Sequence, residues 1–218
     1  MKITIVLLIV AAICAACGYR LLSNRPAQAT IMLTAQPKGR VGIVYYSQSQ
    51  VQNTATLARW IQKYTGGDLI PLEMVKPYPE PYSATLKAVE QGFKSGRLPE
   101  LKNIPKLEGY DIVFIGTPIW YGTYALPIGT FLKATTLSGK TIVPFSTHGG
   151  GGEGRFPADL RKACPQARML EGLSLRGSNQ IERRLNRGIS LRHTEDDVVN
   201  WLNRIFASGA KAAEKAER

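Results

Sequence analysis

The order of patterns along the chain predicts an α/β domain, a parallel sheet with helices over both of its faces. Three observations carry that reading. Val41 to Tyr46 and Asp111 to Gly116 are nearly unbroken apolar runs, as strands buried on both faces require. Between such runs lie segments whose apolar residues recur at helical spacing, such as Leu57, Ala58, Ile61 and Tyr64. Five strands alternating with helices then make a parallel sheet with two covered faces.

The elements follow in order. Val41 to Tyr46 is the first strand, and from Thr54 the period changes to that of a helix closed by Gly66-Gly67. Asp68 to Glu73 is a short second strand. Lys76 to Tyr82, KPYPEPY, is extended, because each proline disfavours helix in the residue before it. Ser83 to Lys94 is helical, with Leu86, Val89 and Phe93 on one face. Asp111 to Gly116 is the third strand, and it ends in a loop from Thr117 to Thr123 that carries Trp120 and Tyr121. Pro127 to Thr135 is a helix with proline in its first turn. Lys140 to Thr147 is the fourth strand, although Pro144 lacks a ladder donor. Phe156 to Cys164 is a helix and Arg168 to Leu175 the fifth strand. Gly177 to Arg192 is irregular and basic. Thr194 and the acids Glu195 to Asp197 open a last helix, with Val198, Trp201, Leu202 and Ile205 as its buried stripe. The polar tail from Ser208 to Arg218 is a frayed extension, and no internal repeat is present.

The chain has 218 residues, 44% of them hydrophobic, enough for one full core with an appendage. The net charge of +12 suits an anionic surface or an acidic partner. Nucleic acid is disfavoured, because the densest basic group, Arg183, Arg184, Arg187 and Arg192, lacks interleaved aromatics. Residues 1–22 read as a signal peptide or a membrane anchor: Ile3 to Cys17 is apolar behind Met1-Lys2. Ala15-Ala16-Cys17 resembles a bacterial lipoprotein cleavage box, Ala27-Gln28-Ala29 is a second candidate cleavage site, and an uncleaved span reaching Leu22 stays open. Residues 23–39 form a polar linker. The expected location is therefore the cell envelope, membrane-associated, on the extracytoplasmic side. Without the N-terminus Cys164 is the one thiol left, and with His148 and His193 well separated no metal site is expected.

Three loops leave strand ends at one edge of such a sheet, where α/β folds bind ligands. Ser47 to Thr54 offers hydroxyls, amides and a helix N-terminus with no charged side chain, the arrangement that holds phosphate. The same residues also fit an ordinary strand-to-helix turn capped by Asn53 or Thr54. Thr117 to Thr123 is aromatic, and Thr147 to Gly154 contains four consecutive glycines after His148. Together they describe a pocket for a flat, phosphorylated, aromatic molecule. His148 itself reads as a loop residue holding backbone and not as a proton donor.

The motifs YYSQSQVQNT, YDIVFIGTPIWYG and TIVPFSTHGGGG, in this order, resemble the flavodoxin family, in particular its members with a Pro-Ile-Trp loop. The likeness covers roughly Arg40 to Phe206. It implies a flavodoxin-like three-layer sandwich, a five-stranded parallel sheet in order 2-1-3-4-5, over residues 40–207, with FMN bound non-covalently. The resemblance places Ser47, Gln48, Ser49, Gln52, Asn53 and Thr54 around the phosphate. It makes Trp120, with Pro118, Ile119, Tyr121 and Gly122, a wall for the isoalloxazine. Thr147, His148, Gly149 and Gly150 approach its pyrimidine edge through backbone groups. The chain departs from the family in lacking a glycine in the first loop, in lacking an aromatic between His148 and Arg155, and in being basic. The implied function is electron transfer with an acidic redox protein as partner. The alternatives are an NAD(P)H-dependent quinone or flavin reductase and a flavin-free interaction module.

Overall fold

The strand VGIVY is almost wholly apolar because successive side chains enter two different cores. Val41 and Ile43 join one buried cluster and Val44 the other. The computed structural model describes residues 32–48, 52–80, 82–177 and 193–216. Among these, the elements are β1 (Val41–Tyr45), α1 (Asn53–Thr65), β2 (Asp68–Pro71), α2 (Tyr82–Ser95), β3 (Ile112–Trp120) and β4 (Thr123–Tyr124). They continue as α3 (Leu126–Ala134), β5 (Thr141–His148), α4 (Phe156–Ala163), β6 (Arg168–Met169), β7 (Leu173–Arg176) and α5 (Glu195–Ala216).

The sheet runs β2-β1-β3-β5-β6 with parallel pairing throughout, β7 continues the β6 edge alongside β5, and β4 pairs with β3 antiparallel. Five positions in the order 2-1-3-4-5 are therefore occupied as expected. One face is covered by α1 and α5, whose Leu57, Ala58, Ile61, Val198, Trp201 and Leu202 meet Ile43, Phe114 and Phe145. Ile128 and Phe131 of α3 and Phe156 and Leu160 of α4 cover the opposite face.

Four local expectations need correction. The fifth strand, expected from Arg168 to Leu175, breaks into β6 and β7 at Leu170 to Gly172. The cause is Pro144 in β5. Ile142 accepts from Leu170 N–H and His148 accepts from Gly177 N–H, so the even-numbered residues of β5 face this edge. Pro144 has no N–H to offer there, and the chain detours with Gly172 against the Pro144 ring. Second, the linker does not run free to Gly39. Asn203 of α5 accepts from Thr34 N–H at 2.7 Å and donates to Met32 O at 3.1 Å, and Leu33 and Ala35 pack on the core. Third, α5 continues as helix from Ser208 to Ala216, where a frayed tail was expected. Fourth, Leu86 of α2 is 42% exposed, and Thr85 and Val89 are the residues that turn inward. The other α5 expectations hold: Asp197 Oδ2 accepts Thr194 N–H at 2.8 Å, one half of a capping box at the helix start. Residues 1–31 and the basic group from Arg183 to Arg192 lie outside the described residues. No helix among the described residues is long and apolar enough to cross a membrane.

Trp201 is fully buried, stands edge-on to Phe114 at 5.8 Å and donates its indole N–H to Glu171 O. It ties α5 to the sheet and to the β6–β7 detour at once. Trp201→Ala is expected to cost about 3–5 kcal/mol, as large-to-small core substitutions of aromatics do, measured as a lowered urea midpoint with an unchanged slope.

Candidate functional site

The carboxyl ends of β1, β3 and β5 lie side by side, so the three predicted loops emerge at one edge. The first loop begins at Tyr46, which is buried and donates its hydroxyl to Gln48 Oε1. Ser47 is half-buried, and Ser49 lies outside the described residues. Gln52 precedes α1 with φ 55°, the left-handed region where glycine is usual. The chain thus makes its turn onto the helix without the glycine missing from its sequence. Neither Asn53 nor Thr54 is the residue before the helix: α1 starts at Asn53, with Gln52 at the N-cap position. Thr54 is buried and shares a hydrogen bond of 2.8 Å with Thr147 Oγ1, so the hydroxyls of the first and third loops hold each other.

The second segment is not a loop. β3 continues through Thr117, Pro118, Ile119 and Trp120, then reverses into β4, with Trp120 opposite Thr123 and Ile119 opposite Tyr124. The two-residue turn has positive φ at both positions, 49° at Tyr121 and 75° at Gly122, the type I′ geometry that matches strand twist. Trp120 is half-buried and takes two edge contacts, from Tyr46 at 5.8 Å and from Tyr78 at 5.5 Å. Tyr121, in contrast, leans away onto Phe93 of α2 at 5.2 Å. Thr117 Oγ1 accepts from Ala125 N–H at 2.9 Å and so fixes the start of α3.

The third loop is organised by His148. Its Nδ1 accepts the N–H groups of Gly150 at 3.0 Å and Gly152 at 3.1 Å, which makes the ring neutral with its proton on Nε2. Gly150 N–H, expected to face a ligand, is therefore turned onto the imidazole. Burial lowers the His148 pKa, and His193 and Arg176 lower it further against a smaller opposing effect of Glu153. Gly154, at φ 57°, closes the loop: a Cβ there would stand 2.3 Å from Gly122 O, which accepts Arg155 N–H at 2.7 Å. The second and third segments are thus fastened to each other.

Two contributors were not read from the sequence. Tyr78 comes from the proline-rich segment, which pattern alone shows only as extended chain. Gly177 follows β7; its N–H donates to His148 O, and a Cβ there would meet Asn53 Nδ2 at 2.4 Å. Gly177 therefore lets the edge strand close against the start of α1. Arg176 pairs in register with His148 and is exposed.

A groove of about 470 Å3 between Phe93, Leu126, Leu132, Arg155 and Asp159 lies on the far side of the Tyr121–Gly122 turn. Of the predicted loop residues only Thr123 lines it; none of the predicted binding residues does. No cluster of metal-ligating side chains occurs among the described residues.

These parts fit a mononucleotide carrying a planar ring. The described first-loop residues bear no carboxylate and meet a helix N-terminus, which suits a phosphate dianion. The half-buried indole suits an aromatic face, and Gly149 to Gly152 have open space where side chains would stand.

Fold and site together define a doubly wound α/β protein with a candidate ligand site at the carboxyl ends of its strands. The flavodoxin family's sequence profile matches residues 40–205. The chain belongs to the flavodoxin family. Its structure is similar to that of a protein from Bacteroides eggerthii assigned as a flavoprotein, with 28% identity and a TM-score of 0.62 over 77% of this chain and 98% of the other. A second such protein, from Bacteroides uniformis, has 22% identity and a TM-score of 0.57 over 69% and 100%. A Lactobacillus acidophilus flavoprotein in complex with FMN has 19% identity and a TM-score of 0.53 over 63% and 93%. No curated protein matches the sequence.

Two outcomes test the third loop. A proton on His148 Nδ1 removes the acceptor for two glycine N–H groups. Because the folded pKa is below the ordinary 6.5, the unfolded chain protonates first. Stability from this group is complete above about pH 6.5 and declines as pH falls through the lowered value. His148→Asn is expected to flatten that acid limb in urea midpoints taken across pH. Gly154→Ala is expected to cost about 1–3 kcal/mol, by overpacking against Gly122 O, read from the same unfolding curves.

Proposed function

We propose that this chain is an electron carrier that binds FMN non-covalently and works tethered at the cell envelope. FMN is the cofactor that membership of the flavodoxin family assigns, and the observation that carries the reading is the first loop, uncharged in its described residues and closing onto the N-terminus of α1. Ser47, Ser49, Asn53 and Thr54 hold the phosphate, with Gln48 and Gln52 beside them. Trp120, set by Pro118 and Ile119 in β3, walls one face of the ring. Thr147 and His148 fix the loop whose remaining glycine amides, Gly149 first, meet the ring edge. When bound, FMN supplies one- and two-electron transfer, while the protein orients it, limits water access and sets its potential through nearby charge. His148 is neutral and committed to two glycines, so it orders backbone and moves no proton.

The excess of Lys and Arg, 28 against 16 acids, supports an acidic redox protein as partner, steered by long-range attraction. Residues 1–22 supply the tether, as a lipidated or uncleaved anchor, with the domain on the extracytoplasmic side. A second reading rests on a specific feature: the side-chain-free run Gly149 to Gly152 leaves space in which a nicotinamide could stack. That would make the protein an NAD(P)H-dependent reductase of quinones or flavins.

Residues 32–216 are expected to purify yellow and to release FMN. Asn53→Ala with Thr54→Ala should weaken FMN more than riboflavin, and Trp120→Ala should weaken both by roughly 1–3 kcal/mol, as loss of aromatic stacking does. A colourless protein that takes up no added FMN would reject the cofactor and favour a flavin-free interaction module. Under anaerobic conditions, NADH or NADPH alone should bleach the colour slowly or not at all. Fast bleaching with saturable quinone turnover would establish the reductase instead.

A further inference from the structure

The proline-rich segment that sequence patterns leave as connecting chain is fastened at both ends. At its start, Leu72 N–H donates to Tyr45 O at 2.8 Å, and Met74 bridges Leu101. Val75 N–H reaches Glu100 O, Lys102 N–H reaches Glu73 O, and the Lys102 ammonium pairs with the Glu73 carboxylate at 2.8 Å. At its other end Pro79 O accepts the hydroxyl of Thr85, a buried residue on the inner face of α2, at 2.7 Å. Pro77 and Pro79 remove backbone freedom in between. Tyr78 is thus presented from a stiff span, and its ring meets Trp120 at 74° with centroids 5.5 Å apart.

Trp120 also meets Tyr46 at 83°, and Tyr46 donates its hydroxyl to Gln48 of the first loop. The indole is therefore held in an aromatic layer that joins the proline segment to the phosphate-side loop. The Tyr78 hydroxyl oxygen is buried and has no hydrogen-bond partner among the described residues. Burial raises its pKa to about 12, so it stays a neutral phenol. Its contact with Trp120 is made by the ring, not by the hydroxyl.

We propose that Tyr78 is a positioning residue of the ring-binding wall: fixed at the tip of the proline segment, its ring holds the Trp120 indole in the orientation that receives the flavin. The proposal rests on the FMN reading above and adds a fourth chain segment to that site. Tyr78 touches the cofactor only through Trp120, so its effect on flavin binding must vanish when the indole is gone.

The test is a double-mutant cycle in the 32–216 protein, titrated with riboflavin so that phosphate contacts do not enter. Tyr78→Ala is expected to weaken riboflavin about tenfold, within the range of couplings between touching residues. Trp120→Ala is expected to weaken it at least as much, and the double variant should match Trp120→Ala alone. Tyr78→Phe keeps the ring and should bind as the parent does. Tyr78→Leu keeps apolar bulk without an aromatic edge and stands in should Tyr78→Ala unfold. Losses that add across the cycle would overturn the proposal, as would Tyr78→Phe losing as much as Tyr78→Ala, which would make the hydroxyl a direct ligand group. A flavin-free readout separates this from the cofactor reading. The near-ultraviolet circular dichroism assigned to Trp120, by difference from Trp120→Ala, should change with Tyr78→Ala and persist with Tyr78→Phe. A protein that shows that change but binds neither riboflavin nor FMN would overturn the FMN reading and, with it, the flavin-wall role of Tyr78. One that binds flavin with no such change overturns the positioning role alone.

Discussion

β1, β3 and β5 are buried on both faces, and that single constraint sets the terms for everything at their carboxyl ends. Inside the sheet, these three strands pair side by side in parallel ladders. Where the strands stop, polar atoms must find partners in one another, because helices cover the space above and below. The hydroxyls of Thr54 and Thr147 do so across two loops, Gly122 O takes Arg155 N–H, and Gly177 N–H takes His148 O. The site is thus assembled by the satisfaction of strand ends.

Backbone conformation follows from the same crowding. Gln52 and Tyr121, neither of them glycine, are held at positive φ where the chain turns out of the sheet edge. Such residues cost conformational energy that the surrounding contacts must offset. Both flank the predicted binding surface, one at the start of α1 and one beside Trp120.

The imidazole of His148 shows how a residue with catalytic potential can be spent on structure. Its one acceptor nitrogen serves two glycine amides, and Arg176 and His193 oppose a second proton on the ring. A loop of four glycines would otherwise be free to sample many shapes. Holding it by one ring keeps the neighbouring space open while limiting its disorder. An exposed, glycine-lined opening serves a protein partner or a small reductant equally well, which is why charge and reduction behaviour, and not shape, separate the two functional readings.

The buried strands, the helices between them and the first and third loops were legible in the sequence because period and apolar content are local properties. Lack of charge in the first loop, Trp120 and the glycine run marked the candidate site for the same reason. Family membership followed from the order of three motifs. Other features depended on neighbours distant in the chain. Pro144 split the last strand because its empty donor position faced that edge and no other. β3 ran on to Trp120 because Thr123 and Tyr124 folded back to pair with it. Tyr78 met Trp120 only because pairing near Leu101 and a bond from Thr85 fixed its segment. Periodicity reports which side of an element is buried. Tertiary packing alone decides which distant residue arrives to cover it.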